Sequence, residues 1–120
     1  MPITVSSTTG DGQKVTLIDT DVTLPDSGTS VSVVGSVQTP GQSAVAITGS
    51  PVASPGVPGS GTNYWIIQVN TATGAASVKS STSAMPTADP GNVVVFQQQI
   101  AAGASSDPVL DGGDATPDSW

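Results

Sequence analysis

The sequence predicts an all-β fold: a small antiparallel sandwich or barrel-like β-meander, helix-poor, with an extended N-terminal β arm. Three observations predict it. Valine outnumbers leucine 16 to 3, and β-branched side chains fit a pleated surface better than a helix. Ser and Thr (17 and 15), with 14 Gly and 10 Pro, supply many turns, while Glu and Arg are absent and helix formers are scarce. Apolar and polar residues also alternate over several short runs, which is the period of a half-buried strand.

Residues 1–24 open the chain as the expected arm. Ile3 and Val5 alternate with Thr4 and Ser6, residues 6–12 make a polar turn, and Val15 and Leu17 then share one face. Two readings stay open. The segment is either a hairpin on the domain or an arm that adds strands to a neighbour's sheet edge. Asp19 and Asp21 flank Thr20 just after this strand. An Asp-x-Asp pair holds a divalent cation only with further oxygen ligands, so a solvated strand end is the expected reading.

Residues 25–103 form the expected main β domain. It starts with the turn Pro25-Asp26-Ser27-Gly28. The following strand places Val31 and Val33 on one face, and Gly35 marks a bulge. A break at residues 39–42 leads to a short strand with Val45 and Ile47 inward. Residues 49–62 carry three prolines and four glycines. That excludes regular helix or a central strand and leaves a long loop or a linker between two halves.

The strongest strands lie in residues 63–100. Tyr64, Trp65, Ile66, Ile67 and Val69 make one, and Val93, Val94, Val95 and Phe96 make another. Residues 71–74, Thr-Ala-Thr-Gly, have the length and the glycine of a hairpin loop. Every aromatic residue except Trp120 falls here, so the core is expected to form around this segment. Residues 104–120 are an acidic tail with four of the nine aspartates and no cation. Its Asp111-Gly112-Gly113-Asp114 run lacks the spacing and the closing Glu of a calcium loop. The terminal Trp120 is either frayed, as chain ends commonly are, or an anchor for a neighbouring molecule, the preferred reading because Trp is enriched at interface hot spots.

Charge and composition exclude several function classes. The net charge is −7 and the only cations are Lys14 and Lys79. That argues against nucleic acid, which needs Lys and Arg to neutralise phosphates, and against anionic membrane surfaces. No apolar run approaches the roughly 20 residues of a membrane span, and no signal peptide is expected. The absence of His and Cys removes His-dependent triads, Cys nucleophiles and the usual zinc sites. A paired-carboxylate hydrolase remains formally open, but the aspartates sit mainly beside Gly, Pro, Ser or Thr, as turn residues do. No enzyme activity, cofactor or metal is expected.

Leu, Ile, Val and Phe total 26 of 120 residues, a thin supply for a core. With no cysteine for disulfides, oligomerisation is the expected route to stability. The residues expected at interfaces are Ile3, Val5, Val15, Leu17, Tyr64, Trp65, Phe96 and Trp120.

The run from Asn63 through the Thr71-Ala72-Thr73-Gly74 turn to Val78, with the return strand from Asn92 to Ile100, resembles β-meanders in virion proteins of tailed bacteriophages. These include head decoration (cement) proteins, head fibres and tail-fibre modules. The Cys-free, Ser/Thr/Gly/Val-rich composition is similar to theirs. The resemblance covers about a third of the chain and carries no catalytic motif. It implies a small β protein, made in the host cytoplasm, that sits on the capsid surface as a homotrimer bound to the major capsid protein. The alternative it leaves is a tail-fibre, baseplate or receptor-binding adhesion module.

Overall fold

The computed structural model describes residues 3–23, 30–56, 58–102 and 114–115. It is helix-free among these residues. Nine strands run in chain order: β1 (Ile3–Thr8), β2 (Lys14–Thr23), β3 (Ser30–Gln38), β4 (Val45–Ala46), β5 (Val52–Ala53), β6 (Thr62–Asn70), β7 (Ala76–Ser81), β8 (Asn92–Ala101) and β9 (Asp114–Ala115). They build two antiparallel sheets. The six-stranded sheet has the order β1-β2-β3-β4; β5 adds to β3, and β9 adds to β2. The three-stranded sheet has the order β7-β6-β8.

Of the two readings of residues 1–24, the geometry matches the hairpin. β1 and β2 pair through Val5↔Leu17 and Ser7↔Val15, and β2 also pairs along β3. β2 is thus an inner strand, with Val15 and Leu17 buried in the chain's own core. Residues 49–62 lie against the sheet. Val52 in β5 pairs with Val31, and the Ser50 hydroxyl accepts the Val33 N–H at 2.9 Å. Residues 104–113 and 116–120 of the acidic tail, with Trp120, lie outside the described residues.

The strand Lys14–Thr23 does not stop before Asp19 and Asp21, as the sequence suggests. It runs through them on a bulge. Ile18 pairs with Ser36 and Asp21 with Val34, so Asp19 and Thr20 together face Gly35. The insertion shifts the side-chain alternation by one residue. Val15 and Leu17 point inward before it, and Thr20 and Val22 after it. Asp19 takes φ 50°, a left-handed conformation that Asp tolerates better than most residues. Its N–H is accepted by the Thr4 hydroxyl at 3.3 Å. Opposite, Gly35 has φ 121°. A Cβ there would lie 2.7 Å from the Thr20 Cα and 2.9 Å from the Asp19 and Ile18 carbonyl oxygens.

β8 repeats the device in the second sheet. Ile67 pairs with Phe96 but Gln68 with Val94, which leaves Val95 as the extra residue. Val93 and Val95 are buried before the shift, and Phe96 and Ile100 after it. An unbulged β8 would turn Gln97 and Gln99 inward and expel Phe96 and Ile100.

The two sheets sandwich a core of Val15, Leu17, Val22, Val31, Val33 and Val37 against Trp65, Ile67, Val69, Val93, Val95, Phe96 and Ile100. Trp65 is its largest member and meets Phe96 edge to face, with centroids 5.3 Å apart and planes at 64°. A buried indole N–H needs an acceptor. The cross-strand neighbour Gln98 supplies it at 3.1 Å.

Main-chain bonds join the sheets on both sides. On one, Thr9 bridges Val93 and the Gly10 N–H donates to the Asn92 carbonyl at 2.9 Å. On the other, Thr48 donates to Gly74 at 2.8 Å and accepts from Ala76 at 2.9 Å. Each junction passes a glycine against foreign backbone. A Cβ on Gly10 would run into the Ala88 carbonyl, and one on Gly74 into the Ala46 carbonyl.

Two substitutions test this bulge. The Thr20 hydroxyl is buried with no hydrogen-bond partner among the described residues, and such a group costs about 1–3 kcal/mol. Thr20→Val is expected to raise unfolding stability by about 1 kcal/mol. Gly35→Ala is expected to lower it by about 2 kcal/mol or more, because the backbone at this position is strained for any residue with a Cβ. Urea denaturation of the two variants checks both; a neutral Gly35→Ala would mean that the bulge does not form.

Candidate functional surface

The eight residues expected at interfaces do not assemble into one surface. Val15, Leu17, Trp65 and Phe96 are buried inside the chain, where they have no exposure to offer a partner. Trp65 and Phe96 pack on each other within one chain, which corrects the expectation that copies of the chain meet around them. Ile3 and Val5 occupy β1, with side chains outside the described residues, as is Trp120. Tyr64 alone of the described side chains in this group faces away from the core, half-buried on the outer face of β6.

That outer face is built by alternation. Trp65, Ile67 and Val69 point into the core, so Tyr64, Ile66 and Gln68 point out. Pairing places Tyr64 between Ser81 and Gln99, and Ile66 between Lys79 and Gln97. Gln99 is exposed and Gln97 is half-buried. Ile66 is fully buried although it lies outside the inter-sheet core. Thr87 and Asp89, in the segment before β8, are fastened to this face.

The fastening is polar. The Asp89 carboxylate accepts from the Gln68 side-chain Nε2 at 2.9 Å, and the Asp89 N–H donates to the Gln68 side-chain Oε1 at 2.9 Å. Lys79 Nζ sits 2.7 Å from Asp89 Oδ1 and donates to the Thr87 carbonyl at 2.8 Å. This explains a buried Gln on a strand: both ends of its amide are satisfied. Next to it, Asp11 accepts from the Thr9 hydroxyl at 2.5 Å and the Gly91 N–H at 3.1 Å, and Thr71 donates twice to the Gly91 carbonyl. The turn after β1, the segment before β8 and the β6–β7 turn are thereby tied into one end of the sandwich.

The sequence reading passed over this cluster. One signal for it was present: Asp89-Pro90-Gly91 is a turn, and Lys79 is one of only two cations in the chain.

The outer face of the six-stranded sheet is different in kind. Thr4, Ser6, Thr8, Ser32 and Val34 are exposed on it. Val34, at 53% exposure, is the one large apolar side chain that stands out in solvent among the described residues. This face is rich in hydroxyls, and β2 adds Lys14, Asp19 and Asp21 to it. Among the described residues, no three potential metal ligands come together. Comparison with known proteins gave no matching family model, no matching curated protein and no matching solved structure.

The carboxylates of the fastening set an acid limit. Asp89 is held below the ordinary value of 3.8 by the Lys79 hydrogen bond first and the Gln68 amide second. Asp11 is held below it by the Thr9 hydroxyl first and the Gly91 N–H second. A carboxyl with a depressed value in the folded state contributes stability that is complete above its unfolded value. That stability is lost as pH falls through the folded value. The melting temperature is therefore expected to hold steady at neutral pH and fall below about pH 4. Asp89→Asn should melt lower than the parent at pH 7 and converge with it at the acid end; a constant gap across the whole range would mean that the carboxylate charge is irrelevant.

Proposed function

We propose that this chain is a non-enzymatic structural protein of a tailed-bacteriophage virion, which decorates and stabilises the capsid exterior as an oligomer. The observation that carries the reading is the resemblance of residues 63–78 and 92–100 to the β-meanders of such proteins. Those residues cover nearly all of β6 and β8, the turn after β6 and the first half of β7, which are the strands of one sheet. The residue chemistry agrees with contact work. Outward positions carry hydroxyls, amides, one exposed valine and a few Asp and Lys side chains, and the chain has no His, Cys, Glu or Arg.

The contact must use outward side chains, because Val15, Leu17, Trp65 and Phe96 are in the core. The exposed Ser/Thr face around Val34 is the surface this reading assigns to the capsid protein or to another copy. Asp21 pairs opposite Val34, so a partner on this face meets a carboxylate beside the hydroxyls, and its docking is sensitive to salt. The adhesion alternative draws support from a different place. Tyr64, flanked by Ser81, Gln97 and Gln99 on the other sheet, offers an aromatic ring among amides.

Co-sedimentation with particles that lack the protein tests the reading. The purified chain is expected to elute at three times its 11.7 kDa mass and to bind such particles. Val34→Asp should weaken particle binding by about tenfold, or 1.4 kcal/mol, without moving the urea midpoint. A chain that stays monomeric and leaves the particles bare would overturn the proposal.

A further inference from the structure

At one end of the sandwich two turns face each other across a groove. One is the turn at residues 39–42 between β3 and β4; the other is the β6–β7 turn at residues 71–74. The groove encloses about 420 Å³ and is lined by Thr39, Gln42, Ser43, Val45, Thr71 and Ala72. That volume lies in the range of small-ligand sites, about 300–1,000 Å³.

Of the polar side chains that line the groove, only that of Thr71 is used to hold the walls in place. Gln42 N–H closes on the Thr39 carbonyl at 2.9 Å, and the Gln38 side chain donates to the Gln42 carbonyl at 2.9 Å. Across the groove, the Asn70 side chain accepts from the Ala72 and Thr73 N–H groups at 2.8 and 3.0 Å, and Thr71 is bonded to Gly91. The hydroxyls of Thr39 and Ser43 and the side-chain amide of Gln42 make no hydrogen bond among the described residues. Val45 packs on the core from beneath, and the Ala72 methyl adds a second apolar patch.

This lining selects a chemistry. It has no charged or titratable side chain, so it gives nothing to a phosphate, a carboxylate or an amine. It is too polar for a purely apolar ligand. The Gln42, Ala72 and Thr73 N–H groups and the Thr39 and Gln42 carbonyls are engaged, and two short turns offer no run of extended edge for a peptide strand to join. Unengaged hydroxyl and amide groups beside methyl groups match a ligand with hydroxyls on one edge and C–H bonds on its face. We propose that the groove binds a neutral saccharide of one or two rings. The site is independent of the capsid contact proposed above. Without an aromatic platform, and with three free hydrogen-bonding side chains, its affinity is on the order of millimolar.

Amide-resolved NMR titration of the full chain tests it, with glucose, galactose, mannose, N-acetylglucosamine and their β-linked disaccharides as probes. At least one probe is expected to give saturable shifts at Thr39, Gln42, Ser43 and Ala72. The double variant Gln42→Ala/Ser43→Ala should lose at least about tenfold in affinity while the rest of its spectrum stays in place. Three results would overturn the proposal: no saturable shift with any probe, shifts confined to Tyr64, Gln97 and Gln99, or undiminished binding by the double variant.

Discussion

The fold depends on one extra residue in β2. Up to Leu17 the inward positions are odd-numbered, and continuing that alternation would drive Asp19 and Asp21 into the space between the sheets. Burying two unpaired carboxylates is far more costly than a local distortion of the backbone. The bulge at Asp19 resolves the conflict by advancing the alternation one step, so that Thr20 and Val22 turn inward. Gly35 is what permits it, because the doubled residues press on the opposite strand where a side chain would stand. The cost is visible at Thr20, a hydroxyl carried into the core with no acceptor among the described residues. β8 solves the same problem with Val95, keeping Gln97 and Gln99 out and bringing Phe96 and Ile100 in. Both sheets thus owe their apolar faces to a phase shift.

Two such faces make a sufficient core from a thin supply. The sequence has few large apolar side chains, which suggests a chain that needs copies of itself to be stable. The structure instead concentrates them. Nine valines are buried among the described residues, stacked between sheets that one Trp and one Phe hold apart. The sheets are then joined along their sides by backbone hydrogen bonds at Gly10 and Gly74, where the absence of a side chain lets main chain meet main chain. Closure of this kind also pairs edge groups that would otherwise stand open to other chains. The shortage of apolar residues therefore no longer argues for oligomerisation. Any assembly must rest on the outward faces.

The sequence made the local elements legible and left their partners hidden. β6, its Thr-Ala-Thr-Gly turn and β8 stand where the β-branched and aromatic runs place them, and Gly35 lies at a bulge, as its position inside a strand pattern suggests. Among the described residues of 49–62, strand is limited to the two-residue β5 and the first residue of β6, in line with their prolines. The passage of β2 through Asp19–Asp21 was missed because two aspartates resemble a strand end when strict alternation is assumed. The clue was the return of an apolar residue at Val22, out of phase with Leu17. Val15, Leu17, Trp65 and Phe96 were assigned to interfaces because an apolar stripe has the same appearance whether it faces a neighbour or the opposite sheet. That distinction belongs to tertiary pairing, which the period of a strand does not encode. The Gln68–Asp89–Lys79 fastening was hidden for the same reason, since it spans 21 residues of sequence.

What remains outside the core is chemically uniform, and that bears on function. Long charged side chains are nearly absent, so the surface has few flexible groups to immobilise when something binds. The hydroxyls of β1 and β3 stand on sheet, and those of the groove stand on turns fixed by Asn70, Gln38 and Gly91. Short side chains on a rigid frame present donors and acceptors in fixed positions, which lowers the ordering cost of each contact. The net charge of −7 gives the surface an acidic field that repels anionic partners and does nothing to draw a neutral one. For a neutral partner, many equivalent, well-registered contacts matter more than electrostatic capture. A repeating lattice or a saccharide, each offering neutral groups at regular spacing, is the kind of partner that such a surface fits.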